Sequence, residues 1–347
     1  HILAEPQRTN LIPYSEDFSN ASWTKVGSSV TPNATTSPDG TINADKLVED
    51  TSTGGHQIQS ITSASNSTIY TTSVFVKYAG REWIRFTDAQ SSNRMHFNTL
   101  TGVFGTISGT VIDYNKTDLE NGWYKLSFTT TSVASAYTPR IALAEADNDV
   151  SYTGDGVSGV YIYGCSLEEG SYPTSYIPTN GEAAGVTRNQ DIFTRDGIGS
   201  LINSTEGVLF VEMASPISDL DSESRIVLAA SGDTNNSLRL YYNTTQDTIE
   251  YKCRVGGSNV CDITYDLGDS TQFHKIACKW KVNDFALWVD GVEVGTDTSG
   301  SSFTSNTLNA LNFSNAANAS DFFSGKVKQL QVFKTALTDT QLAALTS

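Results

Sequence analysis

Hydrophobic and polar residues alternate in short segments along the first half of the chain, and clusters of Gly, Asn, Ser and Asp separate the segments. Alternation with a period of two indicates β-strands, whereas no segment of this half has a helical period. After an irregular opening, the predicted strands are Ile69–Tyr78, Trp83–Asp88, Met95–Asn98, Thr110–Tyr114, Trp123–Thr131, Pro139–Ala144 and Val160–Leu167. Strands at this spacing predict a β-sandwich or jelly roll.

The second half has the same pattern and ends differently. Asp290-Gly291 joins two alternating runs and is a strong hairpin signal. Thr338 is a capping residue followed by apolar positions on one helical face, which predicts a short C-terminal helix. The predicted strands are Gly207–Met213, Arg225–Ala230, Ser237–Tyr242, Thr248–Arg254, Val260–Tyr265, Phe273–Trp280, Phe285–Val289 and Gly325–Phe333.

The segment Leu167–Arg188 separates the two halves. Pro173 and Pro178 remove backbone donors, and the glycines around them permit tight turns, so no element is expected to continue through the segment. We therefore predict two all-β sandwich domains in tandem, a jelly roll over residues 1–180 and a second sandwich over residues 206–347. An extended linker over residues 181–205 joins them.

One strand face of the first domain combines an aromatic ring with a cation. In Trp83–Asp88, Ile84 and Phe86 form an aliphatic face suited to the core, so Trp83 and Arg85 share the opposite face.

The strand Trp123–Thr131 repeats this arrangement. Leu126 and Phe128 predict its core face, which leaves Trp123 and Lys125 on the other. Pro139–Ala144 likewise turns Arg140 outward.

In Met95–Asn98 the ring of His96 lies opposite Met95 and Phe97. A face with aromatic planes, guanidinium groups and amides suits a sugar, because sugar C–H groups stack on rings while hydroxyls need planar hydrogen-bonding partners. The candidate carbohydrate-binding residues are Trp83, Arg85, His96, Trp123, Lys125 and Arg140. Alternatively, the two tryptophans cover the far side of the sandwich or pack on loops.

Composition and charge narrow the class of partner. Charged residues make up 17% of the 347 residues, and the formal net charge is −16. Nucleic acid and anionic membranes are unsuitable main partners, because binding to a duplex requires a basic surface. The charge favours a soluble chain with a neutral partner.

The chain has no apolar run long enough to insert into a membrane, and its first residues do not form a signal peptide. Because no initiator Met is present, we expect a fragment or a processed form. Cys253 and Cys261 flank a glycine-containing turn, so a hairpin there permits a cross-strand disulfide but does not require one. Cys165 and Cys278 lie in apolar runs typical of buried thiols.

Five blocks of the first half resemble the carbohydrate-binding-module-like jelly rolls of tailed-phage tail and fibre proteins. They are residues 10–23, 37–47, 97–106, 121–127 and 167–179. The resemblance implies a place on a virion surface, outside the cell, next to other virion subunits and as a homo-oligomer. It also implies a structural calcium ion near the chain ends, for which the candidate ligands are Glu16, Asp17, Asp45 and Glu168, since calcium prefers oxygen ligands.

Three blocks of the second half resemble laminin-G-like, concanavalin A-like lectin and glucanase sandwiches. They are residues 273–280, 287–295 and 325–339. These are framework strands, so the resemblance implies the fold and no particular activity. Trp288 alternates away from Leu287 and Val289 and either faces the concave sheet or fills a core.

Catalytic motifs are lacking. Retaining glycosidases on such sandwiches carry Glu-x-Asp-x-x-Glu, which does not occur in this sequence. The nearest acidic cluster, Asp219–Glu223, has a polar, loop-like setting, and the histidines show no metal-ligand spacing. A polysaccharide lyase site made of His96, Arg85 and Tyr137 leaves no linear motif and stays open.

We therefore expect a non-catalytic protein that binds a polysaccharide or a cell-surface glycan on a phage virion. An alternative is a structural assembly or decoration protein whose outward tryptophans bury against neighbouring subunits. An enzyme, either a lyase or a glycosidase, is the third possibility.

Overall fold

The computed structural model describes residues 1–182, 184–217, 235–243, 245–314 and 322–347, together with the backbone of residues 225–230. The chain forms two compact units. The first unit is Arg8–Arg188, and the second unit comprises His1–Gln7 and Asn189–Ser347.

Strand β1, Ile2–Ala4, belongs to the second unit. The strands of the first unit follow in chain order: β2 Arg8–Asn10, β3 Trp23–Val26, β4 Ser28–Thr36, β5 Ile42–Glu49, β6 Thr53–Gly54, β7 Gln57–Ser60, β8 Thr62–Ser63, β9 Ile69–Ala79, β10 Trp83–Asp88, β11 Arg94–Asn98, β12 Val103–Ser108, β13 Val111–Asp118, β14 Trp123–Thr131, β15 Ala136–Tyr137, β16 Pro139–Ala144, β17 Tyr152–Thr153, β18 Gly159–Glu169 and β19 Val186–Arg188.

The remaining elements belong to the second unit. They are β20 Thr194–Arg195, β21 Glu206–Ala214, β22 Arg225–Ala230, β23 Ser237–Tyr242, β24 Thr248–Val255, β25 Ser258–Asp266, β26 His274–Lys281, β27 Phe285–Val289, β28 Val292–Asp297, β29 Ala310–Asn312, β30 Gly325–Phe333 and helix α1 Asp339–Thr346.

The first unit is a sandwich of two six-stranded antiparallel sheets. We call the sheet with strand order β12-β11-β10-β16-β7-β3 the front sheet, and the sheet with order β13-β14-β9-β18-β5-β4 the back sheet. Ile84 and Phe86 of the front sheet and Leu126 and Phe128 of the back sheet lie in one buried cluster. The core faces predicted from alternation in β10 and β14 are therefore confirmed.

The opening of the chain is not irregular, contrary to expectation. Strands β3, β4, β5 and β7 all lie before Ile69 and complete both sheets. Strand β4 is a polar edge strand that contains Pro32, and edge strands tolerate proline and need little apolar alternation. The hydrophobic pattern therefore carries no clear signal there.

The second unit is also a sandwich of two six-stranded sheets, with orders β1-β30-β21-β26-β27-β28 and β20-β29-β22-β23-β24-β25. The predicted hairpin is confirmed, since Asp290 and Gly291 both have positive φ between the paired residues Val289 and Val292. Helix α1 begins after Thr338, which forms a capping box with Gln341.

Helix α1 lies on the outer side of the β1-containing sheet. Leu342 of the helix is fully buried in a cluster with Val208, Phe210 and Trp288. Trp288 is only 7% exposed and therefore belongs to a packed cluster, the second of its two predicted positions.

The compact units differ from the predicted domain boundaries at two places. The first seven residues join the second unit because β1 pairs with β30, with Ile2 opposite Val327. The predicted linker 181–205 contains strands β19 and β20, which pair with β2 and β29 respectively. Short pairings of this kind carry too few residues to show alternation.

The part of the chain that the structure describes contains no helix long and apolar enough to cross a membrane.

All four cysteines are buried free thiols. Cys253 and Cys261 lie directly opposite each other on β24 and β25, as the hairpin pattern predicts. Burial raises the pKa of Cys253 to about 12 and raises the pKa of Cys278 well above its usual value. A thiol that stays protonated and buried is a poor nucleophile.

We expect an aromatic disulfide reagent to label none of the four thiols of the native protein within minutes at pH 8, because thiolate and access are both lacking. Unfolding in guanidinium should release all four for reaction. Rapid labelling of Cys253 or Cys261 before unfolding would contradict the buried, protonated state.

Candidate functional site

The outer face of the front sheet is set by the register of β10 with its two neighbours. Arg85 pairs with His96 on β11 and with Ala142 on β16. Thr87 pairs with Arg94 on one side and with Arg140 on the other. Residues opposite each other in antiparallel strands share a face, with Cβ atoms about 5 Å apart. The sheet therefore brings four basic side chains together.

We call Arg85, Arg94, Arg140 and His96 the arginine face. Arg94 is exposed, Arg85 and Arg140 are half-buried, and His96 is fully buried. Three of the four were predicted to share a surface, and the structure places them together as neighbours. Arg94 was missed, although it alternates with His96 two positions along the same strand and so shares its face.

The side chains of Arg85 and Arg94 have no hydrogen-bond or ion-pair partner among the residues that the structure describes, and the Nε atom of Arg85 is buried. Burial lowers the pKa of Arg85, and the charges of Arg94 and Arg140 lower it further. Arginine side chains are in general positively charged at physiological pH. The arginine face thus contains cations that repel one another.

Arg140 is held more firmly. Its Nε donates a hydrogen bond of 2.7 Å to Oε1 of Gln59 on β7. Burial lowers the pKa of Arg140, while the charge of Asp88 opposes that shift. Gln59 therefore fixes the orientation of one guanidinium at the side of the face away from Arg94.

His96 lies beneath this surface as a neutral ring. Its Nδ1 donates to the carbonyl oxygen of Thr106 at 2.9 Å, so Nε2 carries the lone pair. Nε2 is buried without a hydrogen-bond partner. Burial lowers the pKa of His96, and the charges of Arg85 and Arg94 contribute in the same direction, whereas Thr106 and Asp147 oppose it.

Two carboxylates lie near the arginine face. Asp147 accepts hydrogen bonds from the backbone N–H and the hydroxyl of Thr106. Asp88 accepts from the backbone N–H of Thr138 and of Gln90 through Oδ1, while its Oδ2 is buried without a hydrogen-bond partner. Neither carboxylate forms an ion pair with an arginine of the face in the described part of the chain.

Trp83 extends the same face along β10. Its side chain is half-buried and lies against the backbone of Gly105 on β12, where an added Cβ would come within 2.6 Å of the indole ring. The absence of a Cβ at Gly105 therefore leaves room for the indole ring. Part of the indole remains accessible beside Arg85.

Trp123 and Lys125 do not belong to this surface. They lie on β14 of the back sheet, whose outer face is on the opposite side of the sandwich. Trp123 is 4% exposed, packs with Phe75 and Tyr163, and donates from Nε1 to the carbonyl oxygen of Thr36. Lys125 donates to the carbonyl oxygen of Thr174 at 2.6 Å. The packing alternative is therefore correct for Trp123.

The four predicted calcium ligands do not form one site. Both carboxylate oxygens of Asp45 accept backbone N–H groups, from Phe18 and from Asn33. Both oxygens of Glu168 are likewise occupied, by Ser166 and by Thr174.

Asp17 caps the turn formed by Ser19 and Asn20. Among the described residues, no group of three or more His, Cys, Asp or Glu side chains could hold a metal ion. Calcium binding therefore remains an untested prediction.

The lyase arrangement of His96, Arg85 and Tyr137 is not assembled either. Tyr137 is fully buried in the core between the sheets, where its hydroxyl hydrogen-bonds to Thr130. His96 and Arg85 face away from that core. The acidic cluster Asp219–Glu223 lies outside the described residues.

The second unit has a corresponding charged face on β24, but its charges are paired. The ammonium group of Lys252 forms ion pairs with Glu250 and Asp262, and its Nζ lies 3.2 Å from the hydroxyl of Tyr241. Hydrogen bonding in this cluster raises the pKa of Lys252 against the effect of its burial. The Lys252 cation is thus paired with carboxylates, unlike the cations of the arginine face.

A family model described as the concanavalin A-like lectin/glucanases superfamily, laminin G type, matches residues 215–343. It supports the predicted laminin-G-like fold of the second unit. No curated protein matches the chain.

Several solved structures are similar at low identity. The carbohydrate-binding module CBM40 of a Ruminococcus gnavus sialidase, bound to α2,3-sialyllactose, has 14% identity and a TM-score of 0.35, covering 45% of this chain and 98% of that one. The binding domain of botulinum neurotoxin serotype G has 12% identity and a TM-score of 0.35, covering 48% and 43%. Domains LG4-5 of the mouse laminin α1 chain have 13% identity and a TM-score of 0.29, covering 81% and 90%.

Proposed function

We propose that this chain is a non-catalytic glycan-binding protein and that its first unit binds saccharides on the outer face of the front sheet. The observation that carries the proposal is the arginine face beside the half-buried ring of Trp83, in which the side chains of Arg85 and Arg94 have no partner among the described residues. A ring can stack on sugar C–H groups while guanidinium N–H groups orient the hydroxyls.

The rigidity of the face supports this role. The three strands that contribute its side chains, β11, β10 and β16, are consecutive in one sheet, so these side chains start from fixed backbone positions. Preorganised donors lose less entropy when a ligand binds than donors on mobile loops do. The second unit of the same chain matches a superfamily that contains lectins, which also supports glycan binding.

The proposal includes the setting that the first half's resemblance implies. On a phage tail, fibre or appendage, the chain would be displayed in many copies outside the cell, as a homo-oligomer among other virion subunits. Weak binding by single faces then becomes strong through avidity. This setting is tested by a pull-down in which immobilised cell-surface polysaccharide of the host captures tail fragments that contain the chain.

We expect Trp83→Ala to weaken saccharide binding by about tenfold, because it removes the stacking surface and leaves the sheet intact. The measurement is binding of the native chain and the variant to an array of neutral and acidic polysaccharides. Tyr78→Ala is the matched control, since Tyr78 is an exposed aromatic residue of the same unit on the back sheet.

Equal losses in Trp83→Ala and Tyr78→Ala would remove the front sheet from the proposal. If the folded native chain binds no polysaccharide of the array, glycan binding itself is overturned. That result would favour an assembly role, which a stable oligomer with Trp83 shielded from quenchers would then support.

A further inference from the structure

The charge of the arginine face is opposite to that of the chain. The whole sequence has a formal net charge of −16, which by itself favours a neutral partner. Three guanidinium groups nevertheless gather on neighbouring strands of one sheet face. A local potential acts over about a Debye length, so it is not cancelled by distant carboxylates.

Another arginine of the same unit has a structural role and is paired with a carboxylate. Arg81 donates two hydrogen bonds to the buried carboxylate of Glu49, at 2.9 Å and 2.6 Å. Arg85 is similarly half-buried, yet no carboxylate lies opposite it on the strands that flank it, where its partners are His96 and Ala142. A guanidinium that is partly removed from water needs an anion, and the described residues supply none to Arg85.

The layout of the face suits an anionic group at its centre. Arg94 and Arg140 flank Thr87, and Arg85 lies two residues along the same strand. The hydroxyl of Thr87 is turned back to the carbonyl oxygens of Asp88 and Asn93 and does not fill the space between the arginines. Guanidinium groups bind carboxylate and sulfate groups through paired hydrogen bonds to two oxygen atoms.

We propose that the saccharide bound by the first unit is acidic, and that its carboxylate or sulfate group is held by Arg85, Arg94 and Arg140. This inference rests on the proposed glycan-binding function and specifies the class of sugar. The bound anion relieves the repulsion between the three cations, and Trp83 contacts the sugar ring next to the charged group.

An acidic saccharide fits better than a nucleic acid. Nucleic-acid surfaces need extended basic footprints, because a duplex carries one charge per about 1.7 Å of its axis. The arginine face offers only its three guanidiniums and the neutral ring of His96, and Asp147 is close to it. A polymer with one charge per sugar matches this limited patch.

The test uses two pairs of polymers that differ only in charge: polygalacturonate with its carboxyl-reduced form, and dextran sulfate with dextran. Binding of the full chain is measured by calorimetry at low and at moderate salt. We expect the acidic member of at least one pair to bind at least tenfold more tightly, and the preference to shrink as salt rises.

Arg94→Gln is the principal variant, because Arg94 is exposed and its loss does not endanger folding. We expect it to reduce binding of the acidic polymer about tenfold and to reduce any binding of the neutral partner by a clearly smaller factor, because only the acidic polymer loses an ion pair. Arg140→Gln should behave in the same way. Arg195→Gln, an exposed arginine of the second unit, is the control for loss of one charge.

Each other outcome has a separate meaning. Trp83-dependent binding that is equal for acidic and neutral polymers would overturn the acidic saccharide and keep glycan binding. Acidic binding that Arg94→Gln and Arg195→Gln change equally would remove the arginine face from the inference. Equal binding to single-stranded DNA would overturn the preference for a saccharide and indicate a general polyanion site, and no binding to any polymer would overturn both proposals.

Discussion

Replacing Glu49 with Gln should lower the free energy of unfolding of the first unit by about 3 kcal/mol, because the change leaves the half-buried guanidinium of Arg81 without its anion. The Glu49 carboxylate is fully buried and accepts hydrogen bonds from Arg81, from the hydroxyl of Tyr152 and from the backbone N–H of Asp155. The Arg81 guanidinium also lies 4.7 Å from the centroid of the Tyr152 ring. A neutral amide removes the charge and cannot accept all of these bonds.

Differential scanning calorimetry of the full chain measures this effect. For a unit of this size, about 3 kcal/mol corresponds to a decrease in Tm of roughly 6–12 °C. The control is Glu82→Gln, an exposed glutamate of the same unit, for which we expect a change of less than about 0.5 kcal/mol. An unchanged Tm in Glu49→Gln would show that the network contributes little to stability.

Trp123→Ala should destabilise the first unit by about 3–5 kcal/mol while leaving saccharide binding intact in the protein that remains folded. The indole fills a cluster on the outer face of the back sheet with Ala44, Phe75 and Tyr163. The segment that follows β18 contributes Tyr176 to the same cluster, so the cavity would lie beneath a covering loop.

Urea unfolding and saccharide binding, measured on the same preparation, separate the two roles. Trp83→Ala is the reciprocal control: it should reduce binding and change stability far less, since Trp83 is only half-buried. A stable Trp123→Ala variant that loses binding would move the saccharide surface to the back sheet.

Local alternation predicted which face of a strand a residue occupies, but not which sheet the strand joins. The faces of β10 and β14 follow directly from the aliphatic positions within each strand. Whether Trp83 and Trp123 share a surface depends on pairing between segments distant in sequence, and the sequence carries no comparable local signal for that. Trp83 and Trp123 were therefore assigned to one surface, whereas they lie on the outer faces of two different sheets.

The arginine face likewise depends on strand pairing, which local alternation does not predict. Arg85, His96 and Arg140 were predicted to be outward residues on separate strands, and the antiparallel register made them neighbours. Arg94 was missed because it stands one residue before the predicted strand. The net charge of −16 favoured a neutral partner, but an average over the chain conceals a local cluster of opposite sign.

The pairing of β2 with β19 places Arg8 directly opposite Arg188, so the chain enters and leaves the first unit at adjacent residues. Since His1–Gln7 belongs to the second unit, the first unit is an insertion in the polypeptide of the second. Domains whose ends meet can be exchanged as cassettes without altering the host domain's fold. Recombination at this junction can therefore replace the first unit, and the arginine face with it, and keep the laminin-G-like framework unchanged.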